Sequence, residues 1–306
     1  MYRFKKLMVA LNLDEHDTTL IQYAGFISKM AQSKEVYFVH VSDTFNIPEE
    51  IKKVYPEIIS PVDEAAKKRM KENVEKHFNG FNGAALKYNV IEGPLLGTLV
   101  SFSKEYDIDL AIMGYDLKTA ETLGHLPEKM ARKAFCSVLI IPDNTSRVRL
   151  DKILVTVDFS EHSLNSLDIG SAFAKAAGLS SIDIVNTYRV PEGFYKTGKT
   201  FEEFSEVMLK NAKKKTRELL AKADLKGVGI NPYLILNDDV VEGVHQVSDQ
   251  TDTDLIVVGA RGRTGDIAAI LLGSVTEALL RKIHRPLLAV KTKGEGLDIL
   301  GAISEL

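Results

Sequence analysis

The stretch Lys152-Ile-Leu-Val-Thr-Val-Asp158 repeats, 146 positions on, the earlier stretch Lys6-Leu-Met-Val-Ala-Leu-Asn12. The register holds outward from there: Glu15-His16 falls on Glu161-His162, and Tyr37-Phe-Val-His-Val41 falls on Asp183-Ile-Val-Asn-Thr187. A shift of 145 then aligns Asp109-Leu-Ala-Ile-Met-Gly114 with Asp254-Leu-Ile-Val-Val-Gly259. A shift of 149 places Gly124 on Gly273, Glu128 on Glu277 and Val138-Leu-Ile-Ile141 on Leu287-Leu-Ala-Val290. Self-similarity over this span means two copies of one domain, expected at residues 1–146 and 147–292 with a tail at 293–306. The length of 306 residues, about twice that of an ordinary domain, agrees.

Within each copy, short runs of Val, Ile and Leu alternate with longer segments of helical period, the pattern of a parallel sheet covered on both faces. In the second copy strands are expected near 152–157, 181–187, 230–236, 254–258 and 286–290. Ser160 is placed to cap a helix starting at Glu161. Residues 201–223 form an amphipathic helix with apolar positions at Phe204, Val207, Met208, Leu219 and Leu220. The fold class expected is α/β, two tandem Rossmann-like domains, each an open, mostly parallel five-stranded sheet with helices on both faces. Ligands of such sheets sit at the carboxyl ends of the strands.

Composition narrows the function. Hydrophobic residues make up 45% and charged residues 26%, ordinary for a folded, water-soluble chain. A net charge of −3 leaves no general excess of Lys and Arg, so nucleic acid is not the expected partner. The apolar run from Leu7 to Leu13 is cut at once by Asp14, Glu15 and Asp17, unlike a signal peptide. No run approaches a membrane span, and a cytoplasmic protein is expected. The single cysteine, Cys136, reads as a small buried hydrophobe beside Val138–Ile141.

The strongest chemical signal is Asp254-Leu-Ile-Val-Val-Gly259-Ala-Arg-Gly262-Arg-Thr-Gly265, followed by Leu271-Leu-Gly273-Ser274-Val275-Thr276 and a helix. Glycines at the end of a strand let the backbone turn with positive φ and bring N–H groups close to a phosphate. Ser274 and Thr276 add hydroxyls where a helix dipole favours an anion, and Arg261 and Arg263 add positive charge.

At these residues the chain resembles the universal stress protein family, whose ATP-binding members carry G-x-x-G, nine residues, then G-S or G-T. Gly259, Gly262, Gly273 and Ser274 follow that order with ten residues between, 263–272. The resemblance extends through both halves and implies an adenine-nucleotide-alpha-hydrolase-like fold. It implies ATP as the cofactor, with Mg²⁺ as an accompanying ion, held by Asp158, Thr187, Val258, Gly259, Arg261, Gly262, Gly273, Ser274, Val275 and Thr276. It also implies that the two domains pair as an intramolecular pseudo-dimer through Val138–Ile141 and Leu287–Val290, a homodimer of chains remaining open. In the first copy Asn12 replaces the Asp, Leu117 stands for Gly262, and His125 follows Gly124 where Ser274 would be. With Asp116 and Glu121 nearby, that copy is expected to be degenerate.

Gly193-Phe-Tyr-Lys-Thr-Gly198-Lys199-Thr200 matches the Walker A pattern letter for letter. A true P-loop springs from the first strand of its domain, whereas this one follows the second strand at a distance. The milder reading is a surface cover bringing Lys196 or Lys199 near a nucleotide. The seven histidines show no pair at metal-ligand spacing, and the run Lys213-Lys-Lys215 reads as a solvated helix face. The expected function is ATP-dependent binding and signalling without catalytic residues. Its rivals are a slow ATPase or phosphotransferase using Lys199, and a ligand-free partner-binding module.

Overall fold

The computed structural model describes residues 3–42, 49–54, 62–116, 126–260, 273–282 and 284–291. The chain divides into two compact units between Val148 and Arg149. In the first, β1 (Lys6–Ala10), α1 (Asp17–Ala31), β2 (Glu35–Ser42), α2 (Glu49–Val54), α3 (Val62–His77), β3 (Ala85–Glu92), α4 (Leu95–Glu105), β4 (Leu110–Tyr115), α5 (Leu126–Lys133) and β5 (Ser137–Pro142) follow in order. The second unit repeats strand and helix from β6 (Ile153–Thr156) through α6 (Glu161–Ala177), β7 (Ser181–Tyr188), α7 (Phe201–Lys222) and β8 (Gly229–Leu236). It ends with α8 (Val240–Gln250), β9 (Leu255–Gly259), α9 (Ser274–Arg281) and β10 (Leu287–Val290).

Each unit holds a five-stranded, wholly parallel sheet, ordered β3-β2-β1-β4-β5 in the first and β8-β7-β6-β9-β10 in the second. The order reverses between β1 and β4, and again between β6 and β9, which creates a crevice at the strands' carboxyl ends in each unit. The apolar runs explain the layering. β5, β9 and β10 are buried almost throughout, whereas the edge strands β3 and β8 are half-exposed. Pro232, which cannot donate to a ladder, lies on edge strand β8.

The helices start and stop for local reasons. Thr200 and Glu203 form a reciprocal capping box at the head of α7, and Asp239 accepts from the N–H groups of Val241 and Glu242 at the head of α8. α6 ends at Gly178 in the left-handed conformation, φ 75°. Two glycines bring helices close to the sheet: a Cβ on Gly170 would lie 2.7 Å from Val155 Cγ2, and one on Gly243 would lie 2.4 Å from Thr187 Cγ2.

The repeat extends to backbone strain. Leu13 and Phe159, equivalent residues just past β1 and β6, both have φ 65°, a left-handed conformation unusual for such bulky side chains.

Candidate functional site

In the second unit the crevice is a cavity of about 350 Å³. Asp158, Thr187, Val258, Gly259, Gly273, Ser274, Val275 and Thr276 all line it. Eight of the residues singled out in the sequence therefore meet from the ends of β6, β7 and β9 and the head of α9. Arg261 and Gly262 lie outside the described residues, as do Leu117, Gly124 and His125 of the first copy.

The floor is held by the repeat's own hydrogen bonds. Asn186 Nδ2 donates to the Val157 carbonyl at 2.8 Å, closing β7 onto the end of β6. Asp158 Oδ1 accepts from the Ser160 N–H at 3.0 Å and from the Ser160 and Ser163 hydroxyls at 2.6 Å each. The expectation that Ser160 caps α6 through its hydroxyl is therefore corrected: no side-chain cap bond forms, because the hydroxyl is turned towards Asp158, to which it donates. Both serines instead fix the rotamer of Asp158.

The head of α9 differs from that of α8. No side chain caps it, and the first intrahelical bond runs from Glu277 N–H to the Gly273 carbonyl at 2.9 Å. The N–H groups of Ser274, Val275 and Thr276 thus precede the helical ladder, on residues that line the cavity, where the helix dipole favours negative charge. Two details depart from the sequence reading. Gly273 has φ −61° rather than a positive φ, and its N–H is already donated to the Ala260 carbonyl at 2.8 Å. Thr276, 1% exposed, donates its hydroxyl to the Gly259 carbonyl at 2.8 Å, so it ties α9 to β9 instead of reaching for a ligand.

One face of α7, whose direction the sequence did not give, completes the wall. Met208, Asn211 and Lys215 of α7 line the cavity, one helical turn apart. Lys215, half-buried, is a cation facing the site and not part of a wholly solvated face. The Walker-like segment contributes neither Lys196 nor Lys199 to the lining. It folds as a 3-10 turn over Phe194–Thr197, flanked by Gly193 and Gly198 in the left-handed region, and Thr200 is consumed in the α7 capping box. The fold also joins His245 and His284, distant in sequence, with ring centroids 4.3 Å apart. Burial foremost, then the charge of His284, holds His245 below its ordinary pKa. Among the described residues no group of three or more His, Cys, Asp or Glu is gathered as a metal site.

The first unit has its own cavity, about 340 Å³, at the equivalent place. His40, equivalent to Asn186, places Nδ1 2.9 Å from the Leu11 carbonyl, the counterpart of Val157; since a carbonyl only accepts, that nitrogen carries the proton. The acidic position, however, has moved. Asn12 occupies the place of Asp158, and Asp17 the place of Ser163, accepting from the Asn12 and Leu13 N–H groups at 3.0 and 2.8 Å. Pro127, which has no N–H, stands at the second position of α5, where α9 has Val275.

Comparison with known proteins agrees with this geometry. The model of the universal stress protein family matches residues 3–142 and 149–291. Universal stress protein MJ0577 of Methanocaldococcus jannaschii is 31% identical over 166 residues, covering 48% of this chain and 98% of that protein. Universal stress protein MJ0531 of the same organism is 29% identical over 146 residues, covering 46% and 81%. The crystal structure of a universal stress protein from Archaeoglobus fulgidus aligns over 95% of this chain and 98% of its own, with a TM-score of 0.63 and 14% identity, which speaks for the fold alone. With both of its units matched and each built on the same parallel sheet, the chain belongs to the universal stress protein family.

Proposed function

We propose that the protein is a nucleotide-responsive binding protein that holds one ATP in its second unit and acts through occupancy of that site. The observation that carries this reading is the uncapped head of α9, opening onto a cavity that also presents Asp158 and Lys215. The polyphosphate would lie against the N–H groups of Ser274 and Val275, where the dipole complements it. The adenosine end would lie towards Asp158 and Thr187, the carboxylate accepting from ribose hydroxyls. Any Mg²⁺ would arrive with the phosphates, since no protein ligand cluster is gathered among the described residues. Asp158 is held by the Ser160 and Ser163 hydroxyls in a fixed binding geometry, which favours binding over turnover as the reading.

Calorimetric titration with ATP tests it. The expected result is one site per chain, weakened about tenfold or more by Lys215→Ala, since a charge-assisted hydrogen bond is worth about 1.5–3 kcal/mol. Lys199→Ala should leave the affinity within a few-fold. Two equivalent sites, or a hundredfold loss in Lys199→Ala with none in Lys215→Ala, would place the nucleotide elsewhere.

A further inference from the structure

The first unit's cavity is nearly as large as the second's, but its described lining is acidic where the second's sets Lys215 against Asp158. Asp14, Asp17, Asp116 and Asp143 line it, and no Lys or Arg does among the described residues. Its floor is apolar, built from Leu20, Val39, Leu99, Met113 and Ile141 at the carboxyl ends of the strands and on α1 and α4. About 340 Å³ with an apolar floor and a few convergent polar groups is the form of a small-molecule site. Such a lining repels a polyphosphate, and Pro127 removes one of the N–H groups that would otherwise bind it.

Asp17 shows that the change is more than decay of an anion site. Loss of the acid at position 12 alone would leave the turn after β1 without a buried charge of its own. Instead a carboxylate stands on the first turn of α1, 1% exposed, and receives the two backbone N–H groups of the strained turn. Burial, with a smaller contribution from Asp14, pushes its pKa up to about 6, and the two backbone N–H groups and His40 offset this only in part. The second unit meets the equivalent turn with Ser163, so the fold does not require an acid there.

We propose that the first unit binds a small organic cation with an apolar body, its ammonium group set against Asp17 and the rim of Asp14, Asp116 and Asp143. A bare metal ion fits poorly, because half of the wall is hydrocarbon and no three-ligand group is present among the described residues. The inference is independent of what the second unit holds.

The test uses the full chain and three probes of one shape: 2-phenylethylamine, 2-phenylethanol and 3-phenylpropanoate. Binding is followed by calorimetry, and its place by amide shifts at Ala10, Val41 and Gly114. The amine should bind once per chain with shifts at those amides, the alcohol at least tenfold more weakly, and the carboxylate not measurably. Asp17→Ser, a residue the repeat already accommodates, should weaken the amine at least tenfold without weakening the alcohol. Asp14→Asn with Asp143→Asn, a rim variant away from the core, should also weaken the amine. ATP should not displace it. Equal binding of all three probes, no amine binding, displacement by ATP, or an amine affinity indifferent to both variants would overturn the proposal. Failure of ATP to bind at all would touch only the second unit.

Discussion

Asp17 ties stability to acidity. Its carboxyl is raised from 3.8 to about 6 by burial and by Asp14, against the lowering effects of the Asn12 and Leu13 N–H groups and His40. The folded state therefore holds the proton more tightly than the unfolded chain, and stability falls as pH rises from about 4 to 6. Above pH 6 the penalty is complete and amounts to about 3 kcal/mol. Asp17→Ser is expected to flatten this part of the stability curve, gaining over the native chain at pH 7 and losing the gain by pH 4. Urea unfolding at the two pH values checks it. This residue was not legible in the sequence: its exchange with position 12 becomes visible only when register and hydrogen bonds are read together. Lys215 was hidden for another reason, since in a run of three lysines only the helix's rotation decides which one faces inward.

The strands were the legible elements. Their apolar runs lie within one or two residues of β6 to β10, because a strand buried on both faces has little choice of residue. Caps were less so, since the Ser160 hydroxyl turns to donate to Asp158 instead of accepting from an α6 N–H, and that depends on a rotamer. Thr200 gives the clearest element-scale test, being at once the last letter of a Walker-like motif and the cap of α7. Thr200→Ala should cost about 1 kcal/mol of stability and leave ATP affinity unchanged, measured by denaturant unfolding beside titration. Gly243→Ala presses α8 against Thr187 and should lower both stability and ATP affinity. Overpacking of this kind costs about 1–3 kcal/mol and reaches the cavity wall directly.

At the level of the molecule, the two units share a topology and differ in what lines their crevices. ATP bound in the second unit should slow hydrogen exchange at β6, β7, β9 and α9 while β1 to β5 exchange as before. At a hundredfold excess over its dissociation constant the ligand contributes about 2.7 kcal/mol to amides that exchange only through global opening of that unit. Mass spectrometry of the exchanged peptides reads both halves in one experiment. Equal slowing of both would contradict a single site per chain.

The exchange of acid between positions 12 and 17 also constrains the mutational routes between the two kinds of crevice. Starting from a site like that of Asp158 and Ser163, a first step at the second position would set two carboxylates on one buried turn, each raising the other's pKa. A first step at the first position leaves Asn beside Ser, neutral and well bonded. The passable path runs through an uncharged intermediate, and the proline at the head of α5 then acts as a ratchet. Restoring one acid without removing Pro127 returns the charge but not the N–H, so single revertants gain little and the two copies stay apart.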